Sequence, residues 1–217
     1  MFGNPKNVFW EALLLTIVFF ILGLFFGIFI ENNRYSEVNE YYLNSEIFLM
    51  DIFTLNEANN VENISCDILI ESNRNFADKI YEEAILLEEY ERVGQLTDSM
   101  KIAHKRYDLL RTLLWVNSIK TIDKCDNAPA IVIYLYEEEI DNLAQKATQG
   151  VWSKILADFK QNQADRIILI PIAVDGNLVS LNSLIEKYEV TRYPVVIINN
   201  EVINKIASVE QLEKYLD

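Results

Sequence analysis

Cys66, Cys125, His104 and the run Glu137-Glu138-Glu139 are the side chains whose types first suggest chemistry. A thiol pair can form a disulfide or exchange one, a lone imidazole can carry a proton or a metal, and neighbouring carboxylates can hold cations. Spacing narrows these options. Three consecutive carboxylates point in different directions and no second histidine exists, so a metal site or an acid-base dyad has little to be built from. His104 lies amid Lys101, Lys105 and Arg106 on a predicted helix and is read as solvent-facing. No phosphate-cradling glycine loop and no serine nucleophile elbow is present. The expectation is no catalytic residue, no metal and no cofactor.

The cysteines depend on the elements around them. Helices are predicted over residues 36–56, 65–92 and 97–122, with Val93 to Leu96 as a short connection and Thr97 or Asp98 as a cap. Met100, Ala103, Tyr107, Leu110, Leu114 and Asn117 keep a 3-4-3-4-3 spacing, and so short a connection makes the last two helices antiparallel neighbours. Counted from Gln95, Cys66 lies 29 residues before and Cys125 30 after, which brings both to the same end of the hairpin. A Cys66–Cys125 disulfide is the favoured reading and requires an oxidising compartment; two separate buried thiols are the alternative.

Ahead of the hairpin, Ala12 to Ile30 contains no charge and only Thr16 as a polar side chain. At about 1.5 Å per residue this run matches the hydrocarbon thickness of a bilayer. Phe9 and Trp10 sit where an aromatic belt would lie, while Glu11, Glu31 and Arg34 suit the headgroups. A cleaved signal peptide would need a shorter core and a small-residue cleavage site, so a retained single span is expected. Lys6 favours a cytoplasmic N-terminus and an extracytoplasmic remainder. Within the span, Gly23 and Gly27 form a Gly-x-x-x-Gly pair, a candidate helix–helix contact in a homodimer or with another membrane protein. Asn63-Ile64-Ser65 is a candidate glycosylation acceptor.

Net charge is −14, from 33 acidic against 19 basic residues, which argues against binding nucleic acid. Six Gly and four Pro leave little material for long disordered linkers. The expected organisation is an anchor at 1–34, a helical region at 35–125 and an α/β domain at 126–217.

Asp126 to Pro129 marks that last boundary, and beyond it the periods change. Ala130 to Tyr136 and Ile167 to Val174 read as strands buried on both faces, and Pro194 to Ile198 as a third. Asn199-Asn200 turns that strand into a fourth over Glu201 to Ile206. Helices are predicted over 138–162 and 181–188, and a last one is capped by Ser208 with Glu210 and Gln211 in its first turn. The result is a four-stranded mixed sheet with flanking helices.

That order, with the stretch Leu184 to Ile198 containing Lys187-Tyr188-Glu189-Val190 and then Pro194, resembles the thioredoxin-fold superfamily over residues 129–217. Residues 1–125 have no counterpart in it. The resemblance implies a cis peptide bond before Pro194, lying beside the start of the helix expected near Glu138. It also implies a peptide groove flanked by Arg192 and Tyr193, with Arg192 offsetting part of the charge of Glu137 to Glu139. The departure from the family is the redox motif: where active members carry Cys-x-x-Cys after the first strand, this chain has Glu137 to Glu139, which cannot exchange thiols. Apart from Arg192, the acidic run is read as complementing a helix dipole. The functional expectation is a membrane-anchored, redox-inactive binding or assembly module for a protein or peptide partner. The alternative is a thiol-disulfide oxidoreductase, or its accessory subunit, using Cys66 and Cys125.

Overall fold

A computed structural model describes residues 5–58, 64–93 and 98–216. The chain divides into two compact units, Met1–Tyr41 and Tyr42–Asp217. Asn63 lies outside the described residues, as does the predicted connection around Gly94 with its Thr97 cap.

A single helix, α1 (Pro5–Ala58), covers what the sequence divides into a span and a following helix. In the first unit, the 22-residue stretch Phe9–Ile30 contains an 18-residue window of mean hydropathy 3.0, none of which is buried. It is long and apolar enough to cross a membrane.

The second unit is built on α2 (Cys66–Val93) and α3 (Asp98–Lys124), which run antiparallel. Asn73 Nδ2 donates to Thr121 Oγ1 at 2.8 Å, and the Tyr107 hydroxyl donates to the Ile80 carbonyl at 2.8 Å. Leu69, Phe76, Ile80 and Leu87 of α2 are buried, as are Ala103, Tyr107, Leu110 and Leu114 of α3. The open end of the pair is closed by a Cys66–Cys125 disulfide with Cα atoms 5.7 Å apart. Outside the hairpin, the end of α1 touches α3 through side-chain tips: Glu46 pairs with Arg106, and Glu57 with Lys120 at 3.4 Å.

After Pro129 the chain alternates β1 (Ala130–Tyr136), α4 (Leu143–Gln163), β2 (Ile167–Ala173), α5 (Val179–Lys187), β3 (Val195–Ile198), β4 (Glu201–Ile203) and α6 (Val209–Glu213). The strands form one sheet in the order β2-β1-β3-β4. β1 and β2 are parallel; β3 is antiparallel to β1 and to β4. Strand residues alternate between faces. Val132, Tyr134, Val196 and Ile198 pack with Trp152, Leu156 and Phe159 of α4 and Leu212 of α6. Ile131, Ile133 and Ile197 turn to the opposite face, where α3 and α5 meet through stacked Trp115 and Tyr188, 5.3 Å between centroids. Two covered faces explain why β1 reads as a nearly unbroken apolar run.

β2 is an edge strand, and the C-terminal half of its outer side offers no free donor. The Val174 amide donates to the Tyr136 carbonyl at 2.9 Å, so the amides of alternate residues 171 and 173 face outward. Position 171 is proline and has no donor. The Ala173 amide donates instead to Asp108 Oδ1 of α3 at 3.0 Å.

Candidate functional site: an acidic cleft beyond β1 and β2

The chain leaving β1 does not enter a helix at Glu138, as the sequence suggested. It forms a loop to Asn142, whose side chain accepts from the amides of Ala144 and Gln145 and caps α4. The helix starts instead where the Asn142 side chain can cap it, and the amides ahead of it find a non-local acceptor. The Asp175 carboxylate, just past β2, accepts from the Glu138 amide at 2.9 and 3.0 Å and from the Glu139 amide at 2.9 Å. Glu137 is fixed from the other side, its amide donating to Gln149 Oε1 at 3.0 Å and its carbonyl accepting from Gln149 Nε2 at 2.9 Å. Gln145 bonds its carboxylate.

α4 carries no acidic residue in its own first turn, and the acidic run approaches that turn from the preceding loop through Glu137, whose carboxylate meets the Gln145 side chain. Two nitrogen-bearing side chains of α3 approach the acidic run. Lys101 Nζ is 3.7 Å from Glu139, and His104 Nδ1 is 3.5 Å from Glu138. This corrects the expectation for His104, whose side chain is half-buried against Glu138 and 19% exposed rather than fully solvent-facing.

A cleft of about 470 Å³ opens between the loops after β1 and β2 and the segment ahead of β3. Glu137, Glu139, Asp175 and Glu186 line it with Tyr193, Asn182 and Ile185. Four carboxylates around one tyrosine make it strongly anionic. Burial pushes the Tyr193 phenol above its ordinary range, and Glu137 and Asp175 add to the shift by opposing a second negative charge. The Tyr193–Pro194 peptide bond is cis. Of the three residues expected to form a groove, Tyr193 lines the cleft, Pro194 is buried and Arg192 is exposed outside the lining.

Beneath the cleft is a buried charged cluster that sequence reasoning missed. Arg111 Nη1 lies 3.7 Å from Asp108 Oδ1, its Nη2 donates to the Tyr107 hydroxyl at 2.7 Å, and its guanidinium carbon sits 3.8 Å from the Tyr107 ring centroid. Burial pushes the Asp108 carboxyl up to about 6 and outweighs the opposing pull of Arg111. Arg111 is held in its charged form: burial opposes that charge, but Tyr107, Tyr136 and Asp108 favour it more strongly. The available signal was an acidic and a basic residue three apart on a helix apolar on more than one side.

A larger groove of about 690 Å³ lies at the other end of the sheet, where Trp115, Ile119, Asp126 and Tyr188 line it near the disulfide. No group of three potential metal ligands occurs among the described residues. An added Cβ at Gly23 or Gly27 would meet nothing within 4 Å, so both glycines present open backbone. No family model, no curated protein and no solved structure matches this chain.

Proposed function

We propose that this chain is a membrane-tethered, redox-inactive thioredoxin-like module whose acidic cleft holds a basic, extended segment of a protein partner. The observation that carries the reading is the composition of the cleft: carboxylates stand after β1, where the resemblance would require a thiol pair, and Tyr193 stands opposite them. The strand order, one parallel and two antiparallel pairings, and helices on both faces are consistent with the fold assignment. A cationic peptide side chain would find four carboxylates and a phenolic ring there, which suits charge pairing and cation–π contact.

The oxidoreductase alternative would place chemistry at Cys66 and Cys125. That disulfide sits ahead of β1, whereas the cleft lies beyond the strand's far end. At about 3.3 Å per residue the strand separates them by roughly 20 Å, too far for one bound peptide segment to contact both. A structural staple is the better role for the bond. With Phe9–Ile30 as a retained span, the disulfide favours an extracytoplasmic position for the second unit. The testing experiment is photo-crosslinking from position 193 in membranes, paired with a disulfide-reduction assay on the full chain. Capture of a basic partner segment without reductase activity supports the proposal, and reductase activity removed by Cys66→Ser refutes it.

A further inference from the structure

The face of α3 that carries Lys101, His104 and Asp108 meets the cleft wall at three successive points. Lys101 reaches Glu139 at 3.7 Å, His104 reaches Glu138 at 3.5 Å, and Asp108 takes the Ala173 amide at 3.0 Å. Spacings of three and four place these side chains on one face, so a single rigid helix contacts both loops. The loops are also tied to each other, because Asp175, two residues after Ala173, holds the amides of Glu138 and Glu139. A continuous path thus runs from Asp108 through Ala173 and Asp175 to the acidic loop. We propose that Asp108 is a proton-sensitive latch for the cleft, holding the loop after β2, and through Asp175 the loop after β1, when ionised and slackening both when protonated.

The chemistry follows from what surrounds the carboxylate. Its side chain is 4% exposed and its charged partner Arg111 comes from the same helix. Around it stand His104, Tyr107 and Arg111 of α3, Tyr136 at the end of β1 and Glu138 of the following loop; α2 contributes the Ile80 carbonyl by way of Tyr107. An ionised acceptor makes the stronger hydrogen bond to the Ala173 amide and balances Arg111. A proton on Asp108 weakens both interactions at once. Burial brings that event to about pH 6, rather than the ordinary carboxylate range. The inference concerns the shape of the cleft and stands whether or not the cleft takes a peptide.

The test is a pH titration of amide resonances of the full chain in lipid nanodiscs, following Ala173, Glu138 and Glu139. A shared transition near pH 6 at all three, lost in Asp108→Asn and retained in His104→Gln, is the expected result. A transition confined to Ala173 would overturn the latch, because the acidic loop would not feel the proton. Persistence in Asp108→Asn, or loss in His104→Gln, would overturn it by assigning the transition to another group. Should Asp108→Asn fail to fold, the wild-type Asp108 carboxyl carbon decides: its midpoint must coincide with that of the three amides, and a separate midpoint refutes the proposal.

Discussion

Asp108 Oδ1 stands 3.0 Å from the amide nitrogen of Ala173, so a buried carboxylate on α3 occupies an outward donor of the edge strand β2. One side chain both removes a donor for strand addition at that edge and fastens the wall of the cleft. Its cost is a negative charge removed from water, which Arg111 only partly offsets.

That cost makes stability pH-dependent. Because the carboxyl rises from 3.8 to about 6 on folding, the folded chain binds more protons than the unfolded chain between those values. Its contribution to stability is fully present below about pH 4 and lost as pH rises through about 6. The size is on the order of 3 kcal/mol, taking 1.36 kcal/mol per pH unit. Denaturant titrations of the full chain in detergent, read by near-ultraviolet dichroism of buried Trp115 and Trp152, should show stability falling between about pH 4 and 6. Asp108→Asn should flatten that slope. A slope unchanged in the variant would assign it to other groups.

The Cys66–Cys125 bond closes a loop of 59 residues, for which chain entropy allows about 4 kcal/mol. Reduction, or Cys66→Ser with Cys125→Ser, should lower the denaturation midpoint by a corresponding amount. The α2–α3 end should loosen first, seen as faster hydrogen exchange near Asn73 and Thr121. If exchange there is unchanged after reduction, the bond is not the staple described.

What could be read from the sequence was what local pattern determines. β1 is bounded by Ala130 and Tyr136 as its apolar run suggested, because both faces are covered. Cys66 and Cys125 meet because the hairpin's two arms are of nearly equal length. The start of α4 was hidden, since Asn142 caps it while the Glu138 and Glu139 amides are bound by Asp175 from more than thirty residues away. The surroundings of His104 were hidden for the same reason: Glu138 reaches it from a different element. α3 was read as having a single apolar seam, yet it is also buried at Asp108, Arg111, Trp115 and Ser118, because it packs on the sheet as well as on α2. A second buried face on one helix is where an unexpected ion pair finds room.

Gly23 and Gly27 offer open backbone on α1, and close helix contact through them is expected. Substituting Ile at both should weaken self-association of Phe9–Ile30 in a membrane reporter assay. Unchanged association would leave the pair without a role in assembly.

Orientation has a direct readout. With the second unit extracytoplasmic, protease added outside intact cells should degrade it, and an organism that glycosylates Asn-x-Ser sequons should be able to modify Asn63. Digestion only after the cells are opened would place the unit on the cytoplasmic side and contradict this topology.

Recognition of a basic segment by the cleft can be measured as peptide binding to the full chain in nanodiscs, using a short labelled peptide of alternating Lys and Ala against its Glu-Ala counterpart. The Lys peptide should bind, and binding should weaken with salt. Tyr193→Ala, and Glu139→Gln with Glu186→Gln, should each reduce affinity about tenfold, corresponding to roughly 1.4 kcal/mol. Equal binding of the two peptides, or Lys-peptide affinity unchanged in both variants, would contradict the account of the cleft as the site where a basic partner is held.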